Sequence, residues 1–277
     1  MAGVVEAPRP PKRVVRVEEI MGMPISIHVL NGAGELDPES ERAVAACFAE
    51  LREIDQVFST YLGDSDISRI ARGELDLGDA DPRVAEVEAA CRAAEIETRG
   101  LFSAWWAGWF DPTGFVKGWS VENAAHRHLG PLVAPANGIM AVGINAGGDM
   151  QLFSAPDSDW QWNVGIADPR RPGEVIATVQ VVDGAVATSG SAERGSHIID
   201  PRTGAPARGV QSASVVHDSL AQADLWATTA VVAGFENRSW IAQTGTRTGI
   251  VIAEDGRVTR WLDGTPIDVV RTPSSVG

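Results

Sequence analysis

The sequence predicts an α+β fold, and three observations carry that reading. The first half holds runs with helical spacing. The second half holds short β-rich runs punctuated by Gly, Asp and Pro. The two kinds of segment are partly segregated instead of alternating as regular βαβ units. With 277 residues, 44% of them hydrophobic, the chain has material for one large core or two modest ones.

Met1 to Arg13, rich in Pro, Ala and Arg and without an apolar h-region, reads as a disordered leader, and residues 14–277 as one domain. Val14 to Leu30 is β-rich and broken at Met21-Gly-Met-Pro24, which predicts a bent strand or two strands. Pro38 to Phe58 places Val44, Cys47, Phe48, Leu51 and Ile54 on one helical stripe. A loop at residues 58–63 leads to a short helix with a polar entry at Asp64-Ser-Asp66. A second long helix is expected over Pro82 to Thr98, with proline in its first turn. A third is expected from about Phe115 to Leu129, stopped by Gly130. Strands follow at Ile139–Ile144, Gln161–Ile166, Val175–Val182, Ala185–Ser189 and Val210–His217. Helix returns over Leu220–Ala233 and around Glu236–Gln243, before strands at Gly249–Ala253 and Arg257–Leu262.

A net charge of −14 argues against nucleic acid or an anionic membrane surface as the main partner. No run reaches the roughly 20 apolar residues of a membrane span, so a cytoplasmic setting is expected. Cys47 and Cys91 each fall in an alanine-rich helical pattern and read as buried thiols. An acidic chain that binds an anion must concentrate positive charge locally, which draws attention to Lys117, Arg194 and Arg202.

Three segments carry chemistry. In Asp111-Pro-Thr-Gly-Phe-Val-Lys-Gly118, glycines free the backbone where a helix begins, and a lysine follows; a helix N-terminus offers unpaired N–H donors to phosphate. An ordinary helix start with a solvated lysine is the alternative. In Ala223-Asp-Leu-Trp-Ala-Thr228, Asp224 and Thr228 share one helix face, and both are hard oxygen donors suited to Mg²⁺. A dipole-favoured aspartate and a threonine bonded to its own backbone are the alternative there. In Thr188 to Gly204, His197 lies among small residues and two arginines, either as a general base near neutral pH or as a structural histidine. Asn145-Ala-Gly-Gly-Asp149 reads as a turn that lines a pocket. Taken together, these segments suit a dinucleotide pyrophosphate and a metal ion.

Eight motifs in order resemble those of the FAD:protein FMN transferases, the ApbE family. They are Met21-Gly22; Phe58-Ser59-x-Tyr61 with Ser65-x-Ile67-Ser68; Asp111-x-x-Gly114-x-x-Lys117-Gly118; and Asn145-Ala-Gly-Gly-Asp149. Then come Gly165-Ile-x-Asp-Pro169, Thr188-Ser-Gly190, His197-Ile-Ile-Asp-Pro-x-Thr-Gly204 and Ala223-Asp224-x-x-x-Thr228. The resemblance implies Mg²⁺-dependent cleavage of FAD and transfer of its FMN half to a Thr or Ser hydroxyl of a target flavoprotein, releasing AMP. It implies flavin-nucleotide contacts at Met21, Ser103, Asp111, Lys117 and Ile199, the last through its backbone. It also implies metal ligands at the Gly114 carbonyl, Asp224 and Thr228, with Asp224 and His197 as catalytic groups. Ser103 follows Phe102 where the family usually carries an aspartate in a Phe-Asp-Pro segment. An FAD pyrophosphatase and a non-catalytic FAD-binding protein are the competing readings.

Overall fold

The computed structural model describes residues 11–190 and 198–268. The chain opens with β1 (Lys12–Ile20) and β2 (Met23–Asn31), so folded structure starts two residues inside the stretch read as a leader. Met21 and Gly22 join these strands with φ of 55° and 68°. Two positive φ values in a two-residue loop match the right-handed twist of the strands, and the break at Met21-Gly22 is therefore a tight hairpin.

Three helices follow. α1 (Pro38–Phe58) starts at Asp37, whose Oδ1 accepts from the amides of Glu39 and Ser40 at 2.9 and 2.8 Å. It buries Val44, Cys47, Phe48, Leu51, Ile54 and Phe58, the expected stripe extended by one residue. α2 (Asp66–Ala71) is capped by the Ser65 hydroxyl, and α3 (Pro82–Glu97) carries proline at its first turn. Cys47 and Cys91 are buried free thiols on α1 and α3, and desolvation pushes both up to about 12.

α4 (Thr113–Ala124) does not stop at Gly130. It runs into a π turn at Ala125–Leu129 and a 3-10 turn at Gly130–Val133, and the left-handed stop falls at Gly138, φ 64°. Then come β3 (Ile139–Ala146), β4 (Asp149–Ser154), β5 (Trp162–Ala167), β6 (Val175–Val181), β7 (Gly184–Gly190), β8 (Ile199–Asp200), β9 (Ala205–Pro206) and β10 (Val210–His217). α5 (Leu220–Ala233) has the expected bounds. The helix expected around Glu236–Gln243 is only a 3-10 turn at Ile241–Gln243, because Asn237 and Ser239 bond locally and divert the backbone. β11 (Thr248–Ala253), β12 (Val258–Leu262) and β13 (Thr265–Asp268) close the fold.

Among the described residues, nine strands form one antiparallel sheet in the order β1-β2-β3-β4-β7-β10-β11-β12-β13. One face packs against the helices through Ile25, Ile27, Val142, Ala213, Val215 and Val251, with Trp226 of α5 among the residues that meet them. The opposite face is covered by the β5–β6 hairpin, with Trp162, Val164 and Ile166 against Leu152, Val186, Val216 and Ile252. A further cluster joins α1 and α3 to Phe102, Phe110, Phe115 and Leu225. Helices on one side of an antiparallel sheet make the α+β architecture that the segregation of segments predicted.

Candidate active site

The site grows from the contact between α4 and α5. A Cβ built at Gly118 would lie 3.0 Å from the Asp224 Cβ, 3.0 Å from the Leu220 carbonyl oxygen and 3.1 Å from the Ala221 Cα. Any side chain there would have to push two backbone atoms of α5 aside, so glycine suits this approach, which sets Asp224 against α4. Four residues further along, the Glu122 carboxylate meets the start of α5 at Ser219 and Ala221. The two helices therefore run antiparallel. One turn back along α4 is Gly114, and one turn forward along α5 is Thr228. The Gly118 amide, whose regular helical partner is the Gly114 carbonyl, also faces Asp224 and favours its ionised form.

Lys117 reaches into this gap and pairs with two carboxylates. Its ammonium contacts Asp149 Oδ2 and lies 3.7 Å from Asp224 Oδ1. Asp149 is fully buried at the head of β4, directly after the Gly147-Gly148 hairpin turn, φ 60° and 98°. Its other oxygen accepts from the Thr188 amide on β7 at 3.0 Å. Beside it, Ser189 Oγ and Thr228 Oγ1 are 3.0 Å apart, and Thr188 Oγ1 meets Ser214 Oγ at 2.8 Å. A lysine, two aspartates and the hydroxyls of Ser189 and Thr228 thus converge where α4, α5, β4 and β7 meet, while the Thr188–Ser214 pair lies on the opposite face of the sheet.

Asp224 is 4% exposed. Burial is the largest influence on it and raises its pKa to about 7; Lys117 and the Gly118 amide oppose this, and the charge of Asp149 adds to it. The consequence for stability has a definite sign. Between the ordinary carboxylate value of 3.8 and about 7, the folded protein holds a proton that the unfolded chain has released. Metal-free stability is therefore lost as pH rises through that window, at no more than about 1.4 kcal/mol per pH unit. Asp224→Asn should remove this component, so its stability advantage grows from pH 4 to 7 and then levels. Urea unfolding in chelator across that range checks it, and a constant difference between the two proteins would contradict it.

The remaining predicted positions lie around this centre. Asp111 precedes α4 and its Oδ1 accepts from the Thr113 amide and hydroxyl at 3.1 and 2.6 Å, fixing the helix start. Met21 packs against two core clusters, and its amide donates to Asp55 at 3.3 Å. Ser103 turns back on the Trp105 amide, 3.2 Å away, while the neighbouring Phe102 ring edge is 3.3 Å from a Cβ built at Gly114. Ile199 pairs with Pro206 in the β8–β9 hairpin. His197 and Arg194 lie outside the described residues. Arg202 is taken up by Asp200 at 2.8 and 2.9 Å, which makes it a brace for its own turn.

One sequence expectation changes. Asp149 was read as part of a turn, but it is the buried partner of Lys117. The signal that could have found it is a carboxylate beginning an apolar strand, which must find a cation or donors. His28, His128 and His217 bond Ser26, Glu50 and the Ser219 amide at 3.0, 2.7 and 2.9 Å.

The sequence model of the ApbE family matches residues 21–115 and 107–251. The chain belongs to the ApbE family. Both matches include the Asp111–Phe115 turn, and the second includes Lys117, Asp149, Asp224 and Thr228. Among its relatives, an FAD:protein FMN transferase of Rhodobacter capsulatus is 42% identical over 133 residues, 44% of this chain and 25% of that protein. Another of that name from Treponema pallidum (strain Nichols) is 38% identical over 122 residues, 40% of this chain and 33% of that protein. The matched stretch thus spans a third or less of these curated relatives. In fold, the chain is similar to the ApbE protein of Thermotoga maritima, with a TM-score of 0.75 at 22% identity over 90% of this chain and 97% of that one. The flavin transferase ApbE of Vibrio cholerae gives 0.69 at 20% identity, over 92% and 98%. No helix among the described residues of this ApbE-family chain is long and apolar enough to cross a membrane.

Proposed function

We propose that this ApbE-family protein is a Mg²⁺-dependent FAD:protein FMN transferase that acts on a Thr or Ser hydroxyl of a target flavoprotein. The observation that carries this reading is the buried convergence of Lys117, Asp149 and Asp224 beside Thr228. The residues fit the ion. Asp224, Thr228 and the Gly114 carbonyl are hard oxygen donors on two helices in backbone contact, and Asp224 carries a carboxyl poised to ionise in favour of a cation. When bound, Mg²⁺ would neutralise pyrophosphate charge and polarise the bond that breaks.

In the proposed reaction, the acceptor oxygen forms a bond to the FMN phosphorus. The bond from that phosphorus to the bridging oxygen breaks, and the bridging oxygen leaves with AMP. Lys117 would supply a fixed positive charge that Asp149 holds in place. Asp111 and the Gly114 backbone would present the start of α4 to the phosphates. Met21, Ser103 and Ile199 would contact the rest of the flavin nucleotide. His197 is the proposed base for the acceptor hydroxyl proton, so His197→Ala should suppress acceptor-stimulated AMP release more than the background rate. Equal loss of both rates would make it a binding residue.

A pyrophosphate cradle discriminates by phosphate count. FAD should therefore bind more tightly than FMN in the presence of Mg²⁺, and calorimetry that returned equal affinities would argue against the assignment.

A further inference from the structure

Besides their apolar packing, the two helices that carry the site are tied together by one polar side chain. Glu122, near the end of α4, has a single oxygen, Oε2, that accepts from the Ser219 hydroxyl at 2.6 Å and from the Ala221 amide at 2.8 Å. Ser219 is the N-cap of α5, and its own oxygen accepts from the Gln222 amide at 3.2 Å. Two of the four amides that every helix start leaves unsatisfied are thus bound through Glu122 and the cap it holds. A carboxylate at this end also opposes the positive pole of the α5 dipole, and its bonds are charge-assisted.

One turn earlier, Gly118 brings the α4 backbone close to the backbone of Leu220 and Ala221 and to the Asp224 side chain. That contact sets how closely α4 and α5 approach. Glu122 adds a polar tie along the helix axes, from α4 to the first turn of α5. We propose that Glu122 is a positioning residue that sets the spacing of Gly114 and Lys117, on α4, from Asp224 and Thr228, on α5. The inference rests on the metal-dependent reading above. It adds a residue that touches neither metal nor nucleotide and acts through helix register.

The test is Mg²⁺ titrated calorimetrically into nucleotide-free protein, alongside hydrogen exchange at Ala221 and Gln222 in chelator. Glu122→Ala should weaken Mg²⁺ by about tenfold, the usual cost of losing an outer support of a metal site, and should speed exchange at both amides. Glu122→Gln keeps an amide oxygen able to accept both bonds and should stay much closer to the parent protein. Asp224→Ala should abolish the titration without speeding exchange at Ala221. Should Glu122→Ala not fold, Ser219→Ala removes the hydroxyl bond alone and should weaken Mg²⁺ in the same direction. Parent-like Mg²⁺ affinity in the Glu122 and Ser219 variants, with binding lost in Asp224→Ala, overturns the positioning role. Undiminished binding in Asp224→Ala overturns the metal reading and the inference with it.

Discussion

Asp224→Ala should reduce Mg²⁺-stimulated release of AMP from FAD by about 100-fold or more, because outer supports of metal sites alone cost 10- to 100-fold. The same change should leave metal-free stability intact at pH 8 or raise it. It deletes a buried carboxyl whose ionised form the surroundings disfavour. Loss of activity without loss of stability separates a functional carboxylate from a structural one. Thr228→Ala should cost less, since a hydroxyl supplies a dipole where Asp224 supplies charge. Parent-like turnover of Asp224→Ala at limiting Mg²⁺ would remove Asp224 from the metal site.

Lys117→Met should have the largest effect on the fold. It leaves Asp149, fully buried, facing Asp224 with no ammonium between them. Removing one partner from a buried charge cluster costs about 3–5 kcal/mol, because the remaining charges stay desolvated. Three outcomes should appear together in urea unfolding. The variant should be destabilised in chelator, saturating Mg²⁺ should recover part of the loss, and Lys117→Met with Asp149→Asn should be more stable than Lys117→Met alone. If the second substitution adds its own penalty instead, Lys117 and Asp149 are not coupled as the geometry requires.

Much of the frame was legible because helical period and capping chemistry are local. The Asp37-Pro38 start of α1, the Ser219 start of α5 and the break at Met21-Gly22 are written in a few adjacent residues. The face shared by Asp224 and Thr228 follows from helical spacing, and Lys117 stood out as a cation in an acidic chain. Three features were hidden because they depend on distant partners. β4 begins Asp-Met-Gln, which reads as loop, yet Asp149 and Gln151 are buried in the sheet with partners on α4 and at Gly184. Gly130 resembles a helix stop, but it stays right-handed, beside Phe153, and opens the 3-10 turn. The clamp from Glu122 to Ser219 spans 97 positions, beyond any local pattern.

The central claim is that the site moves FMN to a protein hydroxyl. The most direct measurement follows two products at once from protein, FAD and Mg²⁺, with and without a threonine-bearing acceptor. AMP is read by chromatography and flavin on the acceptor by fluorescence after denaturation. A site that keeps water from the pyrophosphate until the acceptor docks should release AMP slowly alone and much faster with acceptor, one AMP for each flavin attached. AMP and free FMN formed at the same rate with or without acceptor, and no flavin on protein, would make the enzyme a pyrophosphatase and contradict the account.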